Sequence, residues 1–381
     1  MGVCVPDLKY YTSRSASGLQ QLDGMSGHLR DVSHDSRATV LAERYVLRGE
    51  LGRGGCAVVY EAHDTRLGRL VALKMVKSSA RDAQANARLA REARAGAAIH
   101  HPNVCGLSDA GYLPDGRPYL VMERLHGETL TSCLRRVGNL SAEHAVDLAL
   151  QLLSGLEAAH AIGIVHRDVK PDNVFLVPRN GATPLVKLLD FGMCRRAATP
   201  SGDDRTLTRA GQVVGTPEYM SPEQVSGKRS FDGRIDLYAV GVILYEVLSG
   251  QRAFPGKDAR EVVVSVLVKS LPPLRHFRPD IPSVLDRVVS RAMERDANAR
   301  YSTAQEFMAD LVECKRQMQE KRRAMMQTGP RRIDPRLDER QRHARHESLP
   351  PPAPPRSVES DEWDNQPTIP VRAMSRPARI A

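Results

Sequence analysis

Residues 166–173 combine groups that could carry out a chemical step. Their sequence, HRDVKPDN, lies between an Ala- and Leu-rich helical pattern and a short apolar run, so one tight turn should hold the groups together. The Asp168 carboxylate, beside Lys170, could accept a proton from a hydroxyl group, and the Asn173 amide oxygen could bind a metal ion. A polar surface loop is the alternative, but the number of chemically distinct positions that match favours a catalytic loop.

A glycine-rich stretch, Leu51–Val59, lies upstream between two predicted strands. Gly52 and Gly54 would let the backbone approach phosphate groups closely, and Gly55 adds flexibility. Val59 could then pack on a purine ring. Because spaced glycines alone more often mark an ordinary hairpin, the stretch is a candidate nucleotide clamp only in combination with other groups.

Lys74 ends an apolar predicted strand, where an unpaired ammonium group would be costly to bury. Glu92, on the following helical pattern, and nucleotide phosphates could supply negative charge; a strand-end lysine that reaches solvent is the alternative. Asp190 follows another apolar run and could bind a divalent cation together with Asn173. Because both are hard oxygen ligands, they favour Mg²⁺ over Zn²⁺.

The elements around these groups are mostly strands in the first part of the chain. Short β-branched and aromatic runs, separated by glycine or proline turns, predict the strands. One Ala-rich stretch over 81–98 predicts a helix, which ends at the HHPN sequence of residues 100–103. The predicted strands cover residues 45–47, 57–60, 70–74, 104–112 and 118–123.

Helical periodicity dominates the second part. Ser141 is a good N-cap, and Val146 and Leu153 lie on one apolar stripe before Gly163 ends the helix. A small β part followed by a larger helical part predicts an α+β fold with two lobes. Further helices are predicted over 235–249, 259–269, 284–293 and from 303 to about 327.

Both ends of the chain lack this periodicity. The first 42 residues are rich in Ser, Gly, Asp and Arg, and the last part is basic and rich in Pro and Arg, with five prolines between 350 and 355. We therefore expect a flexible leader over 1–42, a β-rich lobe over 43–125, a helical lobe over 126–315 and a disordered tail over 316–381.

The net charge of +10 first suggests a nucleic acid or a membrane surface as partner. Residues 316–381 hold 14 Lys and Arg and 9 Asp and Glu, so half of the excess lies in the predicted tail. No zinc-finger or RNA-binding aromatic motif accompanies these charges. Nucleic-acid binding is therefore a minor alternative.

Six scattered cysteines without a C-x-x-C pair indicate reduced thiols rather than a disulfide framework or a zinc site. The N-terminus does not show the basic and then apolar pattern of a secretion signal. The longest apolar candidate, Leu237–Leu248, contains Glu246 and is better interpreted as a buried helix than as a membrane span. We expect a cytoplasmic protein without a transmembrane span.

Taken in order, the motifs resemble those of Hanks-type (eukaryotic-like) serine/threonine protein kinases, and bacterial cytosolic members in particular. The resemblance rests on the glycine stretch, VALK at 71–74, HRDVKPDN, DFG at 190–192 and GTPEYMSPE at 215–223, and it covers roughly Tyr45 to Leu311. It implies a bilobal protein-kinase fold. The N-lobe would be a small antiparallel β-sheet with one regulatory helix, and the C-lobe larger and mainly α-helical.

The resemblance implies that ATP and Mg²⁺, or Mn²⁺ in its place, bind between the lobes. Adenine would lie against the hinge, residues 123–125, with Met122 at the back of the pocket. Ala57 replaces the usual third glycine, a departure that would loosen closure over the phosphates without abolishing binding. The implied ATP-binding residues are Leu51, Gly52, Arg53, Gly54, Gly55, Cys56, Ala57, Val58, Val59, Ala72, Lys74, Glu92, Met122, Glu123 and Leu125.

The resemblance also implies roles in phosphoryl transfer. Asp168 would be the catalytic base, Lys170 would steady the transferring group, and Asn173 and Asp190 would bind the metal. Lys170 and Thr216, which would line the acceptor site, are typical of serine/threonine rather than tyrosine kinases. Structural roles are implied for Asp236, which would brace the catalytic loop, and for Glu223 and Arg300, which would form a buried ion pair.

Arg167 precedes the implied catalytic base, which in this family indicates an activation segment ordered by phosphorylation. Thr199, Ser201, Thr206 and Thr208 lie in that segment, and the last two best resemble bacterial autophosphorylation sites. The hypothesis is that phosphorylation of Thr206 or Thr208 activates the enzyme. In the tail, phosphorylated Thr368 could dock on a phosphothreonine-binding protein.

The preferred function is transfer of the ATP γ-phosphoryl group to Ser and Thr hydroxyls of protein substrates in intracellular signalling. One alternative is a kinase-shaped scaffold that acts through its extensions, and another is a small-molecule phosphotransferase. The first is disfavoured because scaffolds commonly lose at least one of Lys74, Asp168, Asn173 and Asp190. The 215–223 block, which builds a peptide-docking segment, disfavours the second.

Overall fold

The computed structural model describes residues 39–54, 57–76, 93, 96–191, 217–227 and 231–327. Met1–Met318 form one compact unit, and of the second unit, Gln319–Ala381, the described residues are the end of the last helix. Predictions that lie outside the described residues are the leader up to 38, most of the helix over 81–98, the tail beyond 327, and Gly55, Cys56, Glu92, Thr199, Ser201, Thr206, Thr208, Thr216 and Thr368.

The first lobe contains the strands β1 (Val40–Leu41), β2 (Tyr45–Arg53), β3 (Ala57–Asp64), β4 (Arg69–Val76), β5 (Leu107–Tyr112) and β6 (Pro118–Glu123). They form one antiparallel sheet in the order β1–β2–β3–β4–β6–β5. Successive side chains of a strand point to opposite faces, and Val71, Leu73, Tyr119 and Val121 pack with Tyr45 in a buried cluster. The predicted antiparallel N-lobe is thus confirmed.

Strand register sets which candidate residues face each other. Ala72 on β4 lies opposite Met122 on β6, and Lys74 lies opposite Val59 on β3. Gly52 pairs with Val59, so β2 continues into the glycine stretch, whereas the sequence predicted a strand of only three residues there. Pairing with β3 extends the strand, an effect that local propensity does not report.

The second lobe contains the helices α1 (Leu130–Val137), α2 (Ala142–His160), α3 (Pro222–Val225), α4 (Arg234–Ser249), α5 (Ala259–Val268), α6 (Leu274–Phe277), α7 (Ser283–Ala292) and α8 (Ala304–Gln327). It also has a small antiparallel sheet of the strands β7 (Glu128–Thr129), β8 (Val174–Arg179) and β9 (Ala182–Leu188). These helices occur at the predicted places.

Helix α4 occupies the centre of the second lobe. All its residues except Arg234 and Glu246 are buried, as expected for a helix that is apolar all round. The stretch that the sequence offered as the longest apolar run is therefore a core helix. In the part of the chain that the structure describes, no helix combines the length and the apolar character needed to cross a bilayer.

Helix α2 begins and ends as its sequence predicts. The Ser141 side chain accepts a hydrogen bond from the backbone N–H of His144 at 3.2 Å, which satisfies one of the unpaired donors of the first turn. Gly163 follows the helix with a φ of +74°, a conformation that glycine adopts without strain.

The segment 103–105 contradicts the strand predicted over 104–112. Strand β5 begins only at Leu107, whereas Val104 forms a parallel bridge with Leu188 of β9. The reason is the preceding Asn103, whose side-chain amide donates to Val186 O at 2.8 Å and to Gln151 Oε1 at 3.1 Å. These long-range bonds attach the segment to the second lobe.

Candidate active site

The catalytic-loop residues lie on one short turn. Pro171–Asn173 form a single 3₁₀ turn, closed by a hydrogen bond from Asn173 N to Lys170 O at 2.9 Å. The turn brings Lys170 Nζ to 2.8 Å from Asp168 Oδ2, and Asn173 Nδ2 donates to the same oxygen at 3.1 Å and to Asp168 O at 2.8 Å. All three predicted groups are therefore in mutual contact.

Asp236 holds the backbone just before Asp168. Its buried carboxylate accepts hydrogen bonds from the backbone N–H groups of His166 and Arg167, each at 2.8 Å. His160 Nε2 lies 2.8 Å from the same carboxylate. Asp236 can do this because it lies in the first turn of α4, whose burial fixes its position. Sequence reasoning had assigned Asp236 to this place but had not found His160.

Lys74 and Asp190 form an ion pair across the two lobes. Lys74 Nζ lies 2.6 Å from Asp190 Oδ1, and the Lys74 side chain is 4% exposed. Burial by itself would raise the pKa of Asp190, but the Lys74 ammonium outweighs it and holds the pKa below its ordinary value. The lysine was expected to need an anion; the structure shows that Asp190 is one, whereas Glu92 lies outside the described residues.

The loops that carry Asp168 and Asp190 are joined. Leu189 N donates to Asn173 O at 2.8 Å, and Leu189 O lies 2.8 Å from His166 Nε2. The His166 ring also packs against Phe191, with 4.5 Å between centroids. Asn173 and Asp190 are thereby placed side by side.

The donor set near Asp190 fits a divalent cation bound with a nucleotide. Among the described residues, no group of three or more His, Cys, Asp and Glu could hold a metal by itself. One carboxylate from Asp190 and one amide oxygen from Asn173 are what Mg²⁺ uses when phosphate oxygens and water complete its shell. Because the Asn173 Nδ2 group donates to Asp168, the amide oxygen is the atom available to a cation.

The predicted ATP-binding residues of the first lobe line two sides of a strand pair. Ala72 and Met122 are buried opposite each other, as are Ala57 and Val58 farther along. Leu125 and Val59 are half-buried, whereas Leu51, Gly52, Arg53 and Gly54 are exposed. The Arg53 guanidinium pairs with Glu50 at 3.0 Å, so its backbone and not its side chain is the part that a phosphate could contact.

The hinge residue Glu123 has a partner that sequence reasoning missed. Its Oε1 accepts hydrogen bonds from Lys187 Nζ at 2.6 Å and from Gly106 N at 2.8 Å. Lys187 is buried in β9, three positions before Asp190. A lysine inside the apolar run 185–189 was a usable signal, because it raises the same question of compensation as Lys74.

Glu223 and Arg300 form a bidentate ion pair with both distances at 2.8 Å. The Arg300 side chain is fully buried and also donates to Glu294 O at 2.6 Å and Arg295 O at 3.0 Å. Burial acts to raise the pKa of Glu223, but the Arg300 guanidinium lowers it overall. The pair anchors α3 to the base of the second lobe.

Comparison with known proteins identifies the family. The family model described as protein kinase domain matches residues 45–316. Serine/threonine-protein kinase pkn3 of Myxococcus xanthus is 38% identical over 296 residues, which cover 77% of this chain and 53% of that protein. Serine/threonine-protein kinase PknA of Mycobacterium tuberculosis is 38% identical over 277 residues, 71% of this chain and 61% of that protein.

The chain thus spans about half the length of the curated relatives that it matches. Among solved structures, the PknI kinase domain of Mycobacterium tuberculosis shares the fold, with a TM-score of 0.57 at 24% identity over 73% of this chain and 98% of that one. The bilobal kinase fold and the predicted family are confirmed. The chain belongs to the protein kinase family, on the Hanks-type branch that contains the bacterial serine/threonine kinases.

Proposed function

We propose that this chain is a protein kinase that transfers the γ-phosphoryl group of ATP to serine and threonine hydroxyls of protein substrates. The observation that carries the proposal is the joining of two loops. Asp168, Lys170 and Asn173 contact one another, and Leu189 links them to Asp190 and so to Lys74. A scaffold without activity would not require this arrangement.

ATP is the proposed nucleotide, with Mg²⁺, or Mn²⁺ in its place, bound by Asp190 and Asn173. The cation would neutralise charge on the phosphate oxygens as the phosphoryl group transfers. A lowered pKa keeps the Asp190 carboxylate ionised at neutral pH, which is the form that binds a cation. We assign Lys74, with Glu92, to the phosphates, and the hinge residues Glu123–Leu125 and Met122 to the adenine end.

The catalytic loop supplies the groups for transfer. Asp168 would orient the acceptor hydroxyl and take its proton, because its carboxylate is exposed enough to receive a substrate and is held by Asn173. Lys170, 2.8 Å from that carboxylate, would balance the charge of the transferring group. Thr216 would line the acceptor site.

Regulation is proposed to act through the activation segment. Arg167 adjoins Asp168 in the sequence, and a phosphate on Thr206 or Thr208 would give it a charge-assisted partner. A cytoplasmic location, signalling by phosphorylation and docking of phosphorylated Thr368 on a phosphothreonine-binding protein complete the proposal. Full activity of a Thr206→Ala/Thr208→Ala variant would remove the activation-loop part of it.

The test is incubation with radiolabelled ATP and Mg²⁺, followed by mapping of phosphorylated sites. We expect label on the wild-type chain or on an added protein, and none with Asp168→Asn. Asp172→Asn is the matched control, because it removes an exposed carboxylate from the same loop and should keep activity. Binding of ATP without any transfer, even after activation by a second kinase, would favour the scaffold.

A further inference from the structure

The peptide group of Arg167 is held from both sides. Its N–H donates to Asp236 Oδ1 at 2.8 Å, and its carbonyl oxygen accepts a hydrogen bond from Gln224 Nε2 at 3.2 Å. Arg167 has a φ of +67°, a left-handed conformation that costs a residue with a side chain about 1–3 kcal/mol. Such a conformation persists only where its surroundings enforce it, and Asp168 is the next residue.

Gln224 is itself fixed in position. It lies on α3, its side chain is buried, and its Oε1 accepts hydrogen bonds from Ser221 N at 3.0 Å and Ser221 Oγ at 3.3 Å. The neighbouring Glu223 is anchored by Arg300. The amide therefore points its Nε2 donor at the catalytic loop from a helix that is tied down at both ends.

The space behind the loop allows movement if this contact is lost. A small cavity is lined by Arg167, Asp168, Gln224 and Asp236, among other residues. A shorter or apolar side chain at 224 would leave the Arg167 carbonyl without this donor beside a void. The loop could then relax toward an unstrained backbone and displace the Asp168 carboxylate.

We propose that Gln224 is a positioning residue for phosphoryl transfer, which acts by holding the Arg167 peptide so that Asp168 faces the acceptor hydroxyl. This inference rests on the proposed function. It assigns to the amide of Gln224 the second half of a clamp whose first half is Asp236. Gln224 does not touch the reacting groups, so its substitution should change kcat more than the KM for ATP.

The test compares Gln224→Glu and Gln224→Leu with Ser226→Ala. The Gln224→Glu change keeps the shape and the acceptor for Ser221 but loses the donor to Arg167 O. Displacement of a catalytic group by a fraction of an ångström should lower kcat by about tenfold or more in both variants. Ser226 is on the same helix and bonds only locally, to Pro222 O at 2.7 Å, so Ser226→Ala should keep the wild-type kcat.

The pH profile separates positioning from a loss of packing. In Gln224→Glu, the new carboxyl faces a carbonyl oxygen, which favours its protonated form, and that form can donate to Arg167 O. The kcat of Gln224→Glu relative to wild type should therefore rise as the pH is lowered from about 8 to about 6. The ratio for Gln224→Leu should stay constant, because leucine has no proton to regain.

Amide hydrogen exchange over residues 166–173 provides a readout that does not depend on activity. We expect faster exchange there in Gln224→Leu than in wild type or Ser226→Ala. If wild type shows no transfer, the proposed function fails, and exchange alone still decides the role of Gln224. Unchanged exchange, or a wild-type kcat in both Gln224 variants below their melting temperatures, would overturn the inference.

Discussion

Lys74 and Asp190 show how one pair of side chains makes stability depend on pH. The pKa of Asp190 lies below its ordinary value in the folded chain, so the ionised carboxylate adds stability at neutral pH. This contribution is present above the ordinary carboxyl pKa of about 4 and is lost as the pH falls further. The ion pair thus links folding to the charge that the metal site needs.

Lys74→Met should remove this dependence and reverse its sign. Without the ammonium, burial would raise the pKa of Asp190 above its ordinary value, and the carboxylate would cost stability at neutral pH. The difference in unfolding free energy between wild type and variant should be largest near pH 7 and shrink toward about pH 4. Chemical denaturation across this range measures it, with Lys74→Arg as the charged control. A constant difference would contradict the prediction.

Arg300→Leu should be one of the most destabilising single substitutions in the second lobe. The change leaves the Glu223 carboxylate and two carbonyl oxygens without the fully buried guanidinium that they contact. Breaking a buried ion pair from one side costs about 3–5 kcal/mol. Urea unfolding should show this loss, whereas Arg316→Ala, which breaks an exposed pair with Glu313, should leave the midpoint unchanged.

At the scale of elements, the turn after the hinge depends on a glycine. Gly127 has a φ of +148°, and a Cβ atom built there would lie 2.0 Å from Leu176 O on β8. This close approach of backbones brings the hinge to the start of β7. Neither a side chain nor an ordinary backbone conformation fits at this position.

Gly127→Ala should therefore destabilise the chain and raise the KM for ATP. Gly181→Ala is the matched control, because Gly181 also has a positive φ, +68°, but a Cβ atom there would meet nothing within 4 Å. Strain alone should cost about 1–2 kcal/mol in the control. The clash at Gly127 should add about 1–3 kcal/mol to that. Equal unfolding free energies for the two variants would show that the clash is relieved.

The groups that sequence predicts well are those with local signals. Asp168, Lys170 and Asn173 lie within one turn, and a turn of that length leaves them little room to be apart. Partners that are remote in sequence had no such signal. Lys187 and Glu123 are 64 residues apart, and nothing in either strand specifies the other.

The same reason explains the errors in the elements. Strand β2 is longer than predicted because its glycines pair with β3, and the strand predicted from Val104 begins later because Asn103 is tied to β9 and α2. In both places tertiary hydrogen bonds override local propensity. Helix α2 was predicted closely, since its cap and apolar stripe are properties of neighbouring residues.

On the scale of the whole molecule, two buried contacts connect the lobes besides the hinge backbone. One is the Lys74–Asp190 pair, and the other is the contact of Lys187 with Glu123, which also holds Gly106. Both end on the short stretch 187–190. The angle between the lobes and the position of the metal-binding carboxylate are therefore coupled.

A double-mutant cycle should detect this coupling. Glu123→Gln and Lys187→Met each leave a charged partner that is at least half-buried, so each should destabilise the chain. The double variant should cost less than the sum of the two, with a coupling of about 1–3 kcal/mol. Thermal unfolding and the KM for ATP measure the two consequences. Additive effects on both would show that the pair does not act as a unit.

The backbone conformations of Arg167 and Asp190 set heat resistance against catalysis. Both residues have a positive φ, +67° and +55°, and at each position glycine would relieve about 1–3 kcal/mol of strain. A laboratory selection that rewards only survival at high temperature should therefore enrich Arg167→Gly. A selection for phosphate transfer should retain the strained residues. Populations evolved under the two regimes should diverge first at these positions, before any change in the core.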